Sequence, residues 1–289
     1  MKDTVKLLYS VAKLRIGFAI MLSALAGLAV APGVKPGGWQ IFALALAVLL
    51  SSGAAGAFNQ FAERDLDARM ARTRSRPFVT GRFMASSYWL AAIGMVLAAA
   101  VAGAALATNL TAALYVFLGA FTYGVVYTVW LKRRTSLNIV IGGLAGSFAV
   151  LAGAAAVNPS IATAPLILAV VLFLWTPPHF WSLAWVYRDD YAQAGVPMLP
   201  VVASEATTAR IIFAHTLLLV TLSLLPAAFG MGWIYLLGAA SGGAYFLVMS
   251  WRLLRAPSRA AAGANFRASL VQLSLLLLAA ILDAAVLGS

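Results

Sequence analysis

Asn59, Glu63 and Asp67 stand at i, i+4 and i+8 in the segment Asn59-Gln-Phe-Ala-Glu-Arg-Asp-Leu-Asp67. On a helix this spacing drifts only about 80° around the axis, so the three side chains share a face while Asp65 points elsewhere. Two carboxylates on one face at a helix C-terminus repel each other and meet the negative end of the helix dipole, so a cation is needed beside them. Hard oxygen ligands of this kind suit Mg²⁺, above all Mg²⁺ shared with substrate phosphates. A solvated helix end paired with Arg64 and Arg69 is the plainer alternative. Arg72, Arg74 and Arg76 follow at alternate positions, just before Pro77. Guanidinium forks match diphosphate oxygens, and for any single arginine a contact with lipid headgroups is the alternative. Acids and arginines interleaved point to a metal-bridged diphosphate more than either does alone.

Two further segments carry chemistry-bearing types. Tyr123 and Tyr127 share a helix face ahead of Lys132 and Arg133, with Asn138 and the pair Gly142-Gly143 beyond. Aromatics at such a depth are commonly interfacial, and Lys132 is a second source of charge for a phosphate. The run Trp175-Thr-Pro177-Pro178-His179-Phe-Trp181 then leads to Asp189 and Asp190. Two prolines within an apolar run predict a broken helix whose freed carbonyls line a cavity. His179 sits on that break among Trp175, Trp181 and Trp185. A lone histidine is usually a packing residue, but an ionisable group within a membrane defaults to function, and imidazole can ligate haem iron. His215 is a second such group.

The elements that must position these residues are membrane spans. Of 289 residues 63% are hydrophobic and only 10% charged, and the mean hydropathy is +0.95. A soluble domain carries roughly a quarter charged residues, and a disordered chain is poor in apolar ones, so both classes are excluded. There is no cysteine, which removes disulfides, thiolate metal sites and cysteine nucleophiles. Apolar runs lie at about 14–32, 39–61, 86–107, 110–130, 137–157, 162–186, 208–229, 232–251 and 268–287. Each is long enough to cross a bilayer as a helix and lacks the alternation of barrel strands. The basic start resembles a signal peptide, but a second span follows at once, so it reads as a retained first helix.

The expected fold is therefore all-α: a polytopic helical bundle of about nine spans, one domain over 1–289. With the N-terminus cytoplasmic, the loops 62–85, 131–136, 187–207 and 252–267 fall inside, and the C-terminus outside. Every lysine and arginine except Lys35 then lies on the inner side, as the positive-inside rule requires. The net charge of +12 needs no nucleic-acid partner. The two acidic clusters close the second and sixth spans, four apart and parallel, which suggests two four-helix halves related by a pseudo-repeat, plus one helix.

Asn59-x-x-x-Glu63-x-x-x-Asp67-x-x-Met70-x-Arg72-Thr73-x-x-Arg76-Pro77 resembles the first signature of the protohaem IX farnesyltransferase (haem O synthase) branch of the UbiA-type intramembrane prenyltransferases, whose other members make quinone precursors. Trp175-Thr-Pro-Pro-His179-Phe-Trp-Ser-Leu-Ala and Asp190-Tyr-Ala-Gln-Ala-Gly-Val-Pro-Met-Leu-Pro200 resemble its second signature almost letter for letter, and Tyr127-Thr128 through Lys132-Arg133 and Asn138 resemble the segment between. Quinone-type members carry aspartate where Glu63 and His179 stand, so both departures favour the haem branch.

The resemblance implies transfer of a farnesyl group from farnesyl diphosphate to a vinyl group of haem b, giving haem O and diphosphate. It implies Mg²⁺ held by Asn59, Glu63 and Asp67 with Asp189 and Asp190. It implies diphosphate held by Arg72, Arg76, Lys132 and Arg133, so that Asn59, Glu63, Asp67, Lys132 and Arg76 carry the chemistry. The haem-side pocket would comprise His179, Trp175, Trp181, Tyr123, Tyr127 and His215. The expected setting is the cell inner membrane, with the lipid bilayer and a downstream haem-modifying membrane enzyme as partners. The alternatives are a quinone-precursor prenyltransferase, a transporter, and a subunit that binds haem without changing it. A transporter fits nine spans and a midplane break but does not need acids and arginines interleaved on one face.

Overall fold

The computed structural model describes residues 2–288, with Met1, Ser289 and the side chains of Lys2 and Asp3 outside the described set. All regular elements among the described residues are helical. They are α1 (Lys2–Val11), α2 (Leu14–Val30), α3 (Gly38–Ala62), α4 (Arg64–Arg69), α5 (Ser87–Ala107) and α6 (Leu110–Phe121), which continues as a π-helical stretch over Thr122–Leu131. Then come α7 (Asn138–Gly142), α8 (Leu144–Val157), α9 (Thr163–Val186), α10 (Arg188–Gln193), α11 (Leu199–Val202), α12 (Glu205–Leu224), α13 (Trp233–Arg255) and α14 (Arg259–Leu287). Among the described residues eight helices, counting α6 with its extension and α7 with α8, are long and apolar enough to cross a membrane. The bent pair Thr4–Val11 and Leu14–Val30, at 49°, brings the number of spans to as many as nine.

Each span packs on the next, and α14 returns against α2 to close the bundle. One crossing cuts through the middle, where α2 meets α8 backbone to backbone. A Cβ on Gly27 would lie 2.1 Å from the Val150 carbonyl oxygen, and one on Gly153 would lie 1.8 Å from that of Ala24. In lipid the apolar environment does not drive helices together, so close backbone approach at small residues has to do so. The crossing joins the first span to the fifth and so fixes the two parts of the chain that carry the acid clusters.

Three features differ from the sequence expectations. Helices α12 and α14 begin at Glu205 and Arg259 rather than near 208 and 268. Each starts at a serine whose side chain accepts a backbone N–H, Ser204 from Thr207 and Ser258 from Ala261, and runs through polar turns before its apolar part. The inner loop expected at 252–267 shrinks to 256–258. Third, α9 is not broken at Pro177-Pro178 but runs unbroken from Thr163 to Val186. The prolines remove the donors for Phe173 and Leu174, yet the helix is clamped. Gly143 lies against the Phe173 carbonyl, where a Cβ would come within 3.3 Å, and Trp175 and Ser182 bond to α14.

Gly153→Val should cost the purified protein at least about 1–3 kcal/mol of stability, because the clashing atoms are backbone and cannot rotate away. Gly94→Ala on α5, where a Cβ meets nothing, should be neutral or stabilising. A thermal melt in detergent reads both, and equal stability of the two variants would contradict the crossing.

Candidate active site

Helix α3 ends at Ala62, and the chain turns at Glu63 (φ −101°, ψ 13°) into the single turn pair of α4. The Asp67 N–H still reaches the Glu63 carbonyl at 2.8 Å, so the one-face relation survives the turn. Asn59, Glu63 and Asp67 are each no more than 2% exposed, whereas Asp65 lies outside and forms a two-pronged pair with Arg133 at 2.7 and 2.8 Å. The Arg133 guanidinium holds the Asp65 carboxyl below the usual carboxylate range. Arg133 is thus engaged on the exposed rim, away from the buried trio.

Three cations close on the trio. The Lys132 ammonium donates to Glu63 Oε2, Arg76 Nη1 donates to Asp67 Oδ2 at 2.6 Å, and Lys13 Nζ donates to Asn59 Oδ1 at 2.5 Å. Lys132 reaches inward because of the π-helical stretch. Its N–H bonds the Tyr127 carbonyl five residues back, which stacks Lys132 5.8 Å from the Tyr127 ring. Such stretches are rare and frequent at functional sites. The Tyr123 and Tyr127 rings stack at 5.7 Å and 11°, with the Lys13 ammonium 5.5 Å from the Tyr123 ring and 2.9 Å from its hydroxyl. Glu63 Oε1 is buried with no hydrogen-bond partner, the condition under which a carboxylate oxygen is most costly.

The second acidic cluster meets the first across the loops. Asp190 Oδ2 accepts from the Arg72 backbone N–H at 3.3 Å, and the Arg72 guanidinium lies 5.2 Å from the Tyr187 ring. Asp189 turns outward and pairs with Arg259 at 2.5 Å on the exposed surface. Among the described residues no group of three His, Cys, Asp or Glu side chains is gathered in metal-binding distance.

The α9 residues divide between two faces. His179 stacks on Trp175 at 4.1 Å, tilts against Phe266 at 4.7 Å and meets Phe180 edge-on at 5.1 Å. Ser269 Oγ donates to the Phe266 carbonyl and lies 2.7 Å from His179 Nδ1. That contact ties the ring to α14 and fixes its orientation. Trp181 faces the other way, edge-on to His215 at 5.1 Å, and His215 bonds the Ile211 carbonyl of its own helix. The pocket expected from six residues is therefore not one cluster. Tyr123 and Tyr127 line the acidic cleft, and Trp175 with His179 faces α14. Phe180 meets the His179 ring edge-on and packs against the same buried cluster that holds Tyr127. Trp181 and His215 lie apart.

Sequence reasoning missed Lys13, Thr128 and Ser269. Lys13 was indistinguishable from a topogenic lysine ahead of a first span. Thr128 accepts from Asn59 Nδ2 at 2.9 Å, and Ser269 looked like one more small residue in an apolar helix.

Residues 20–276 match the UbiA prenyltransferase family. The chain belongs to the UbiA prenyltransferase family. It is an integral membrane protein. It is 58% identical over 288 residues to Protoheme IX farnesyltransferase 2 of Paramagnetospirillum magneticum, covering 100% of both chains. It is 50% identical to Protoheme IX farnesyltransferase 1 of the same organism, covering 94% of this chain and 95% of that one. In fold it is similar to a digeranylgeranylglyceryl phosphate synthase, with TM-score 0.79 and 17% identity over 98% of this chain and 99% of that one. It is similar also to a UbiA homologue from Archaeoglobus fulgidus bound to GPP and Mg²⁺, with TM-score 0.74 and 15% identity over 95% and 99%.

Glu63→Gln and Asp67→Asn should each reduce prenyl transfer by at least roughly 10²-fold, the scale of losing one electrostatic contact to a developing charge. Asp65→Asn, on the exposed rim, should stay within about threefold of wild type. Turnover by the three purified variants checks this, and equal losses in all three would remove the distinction between the buried and exposed carboxylates.

Proposed function

We propose that the chain transfers the farnesyl group of farnesyl diphosphate to a vinyl group of protohaem IX, giving haem O and diphosphate. The observation that carries this reading is the 58% identity to a protohaem IX farnesyltransferase across the whole of both chains, and the buried acid and base cleft supports it. The donor set fits Mg²⁺: an amide oxygen and two carboxylates, all hard ligands, with Glu63 Oε1 buried and unpartnered. Asn59, Glu63 and Asp67 would hold the ion, and Asp190 would serve beside Arg72. When bound, Mg²⁺ supplies charge neutralisation to the diphosphate.

The chain's own groups would do the rest. Lys132, Arg76 and Arg72 bind diphosphate oxygens and stabilise the charge that grows as the C1–O bond breaks and its electron pair leaves with diphosphate. Preorganised contacts of this type in a dry site are usually the largest part of the rate enhancement. The stacked faces of Tyr123 and Tyr127 stabilise the allylic cation, a contribution of about 0.5–2 kcal/mol. The terminal carbon of the haem vinyl group forms the new C–C bond to C1. The cation left on the adjacent carbon takes the oxygen of water, and a proton is released. His179, its ring held between Trp175 and Phe266, orients the haem. The reading places the protein in the cell inner membrane with the cleft on the cytoplasmic side and the C-terminus outside, and the haem O it makes suits a downstream haem-modifying membrane enzyme.

Membranes containing the protein, given haem b, farnesyl diphosphate and Mg²⁺, should yield a haem heavier by one farnesyl group and one hydroxyl addition, read by mass spectrometry. Prenylation of an aromatic quinone precursor instead, with haem unchanged, would overturn the reading. His179→Gln should weaken haem binding while leaving the affinity for farnesyl diphosphate within about twofold, since that ligand is gripped by the charged groups.

A further inference from the structure

Of the three cations in the cleft, Lys132 and Arg76 each face a carboxylate, but Lys13 faces only neutral oxygens: Asn59 Oδ1 at 2.5 Å and the Tyr123 hydroxyl at 2.9 Å. It is the one cationic side chain of the three that has no carboxylate in direct contact. Its position is built. Lys13 is the one non-glycine residue with positive φ among the described residues, at φ 49° and ψ 42°. The surrounding packing over-determines that conformation. Gln60 Nε2 donates to the Ser10 carbonyl at 2.8 Å, Val11 packs with Ala57 and Phe78, and a Cβ on Gly56 would come within 3.1 Å of the Ala12 carbonyl.

The amide it meets is equally fixed. Asn59 Nδ2 donates to Thr128 Oγ1, whose own proton goes to the Tyr123 carbonyl. The Asn59 oxygen is therefore aimed at Lys13 and cannot be exchanged for the amide nitrogen without breaking that chain of bonds. An ammonium there covers the oxygen that a metal ion would take at about 2.1 Å, and it places a like charge beside that ion.

We propose that Lys13 is an exchange residue: it caps the Asn59 oxygen in the ligand-free cleft and moves to the diphosphate when metal and diphosphate enter together. The inference rests on the metal and diphosphate reading above. Its consequence is coupled loading. Metal alone must displace an ammonium while also claiming the Glu63 and Asp67 carboxylates that lie nearest to it. Diphosphate supplies an anion for the ammonium and frees the metal ligand in the same step.

The test uses three separate titrations of the purified full chain: Mn²⁺ alone, inorganic pyrophosphate with metal removed by chelation, and Mn²⁺ with pyrophosphate present. Lys13→Gly suits the left-handed backbone without steric cost, and Lys13→Met keeps the side-chain bulk. Both should bind Mn²⁺ alone more tightly and metal-free pyrophosphate more weakly, each by about tenfold or more, because one unit charge is lost at contact distance. Lys6→Met, an exposed lysine on α1, should move neither by more than about twofold in a screened surface setting. Unchanged Mn²⁺ affinity in both Lys13 variants, or an equal shift in Lys6→Met, would overturn the exchange role. If the wild type takes up no Mn²⁺ even with pyrophosphate present, the metal reading itself falls, and the exchange role with it. A merely structural Lys13 would weaken both ligands rather than shift them in opposite directions.

Discussion

The pairing of Glu63 with Lys132 is the interaction on which the site's arrangement turns. Glu63 is 1% exposed within a membrane-spanning bundle, and an unpaired carboxylate there is not tolerable. The lysine that answers it comes from the far end of α6 and reaches inward only because the helix widens into its π-helical stretch. The same stretch stacks Tyr123 on Tyr127 and sets Thr128 against Asn59. The α2–α8 crossing holds the halves of the bundle close enough for α9 and its loop to bring Asp190 to Arg72. Each of these features carries a cost of its own: a rare helix, backbone contacts without side chains, a lysine at positive φ. A chain selected only for stability would replace the buried pair with apolar residues, which is often neutral or better.

Helix α9 divides its side chains between two faces. Trp175, His179 and Ser182 face α14, where Ser269 and Asn265 receive them, and Trp181 faces α12. Phe180 stands between the histidine and the tyrosine-lined cleft.

Much of this was legible in the sequence, for physical reasons. Apolar runs report spans because a bilayer sets their length, and the Asn59, Glu63, Asp67 spacing reports a shared face because the helical period does so even across the turn at Glu63. The misses have equally physical causes. Helices α12 and α14 extend past the apolar runs, and hydropathy is blind to the polar turns before each core. Pro177 and Pro178 predict a break from local sterics, and the clamp by Gly143 and α14 overrides it. Lys13 has the same type as lysines that only set topology, and nothing local separates the two roles. Arg133 and Asp189 carry the right charge, but each is taken by an outward partner that no spacing rule reveals.

If the buried charges serve a ligand and not the fold, removing both should spare stability and abolish turnover. A double-mutant cycle on Glu63→Gln and Lys132→Met tests it most directly, read both as thermal stability and as haem farnesylation. Each single variant leaves one buried group without its partner and should lose about 3–5 kcal/mol. The double variant should recover wild-type stability or exceed it while remaining inactive. A double variant that is less stable than both singles would make the pair structural, and one that retains activity would remove it from the chemistry.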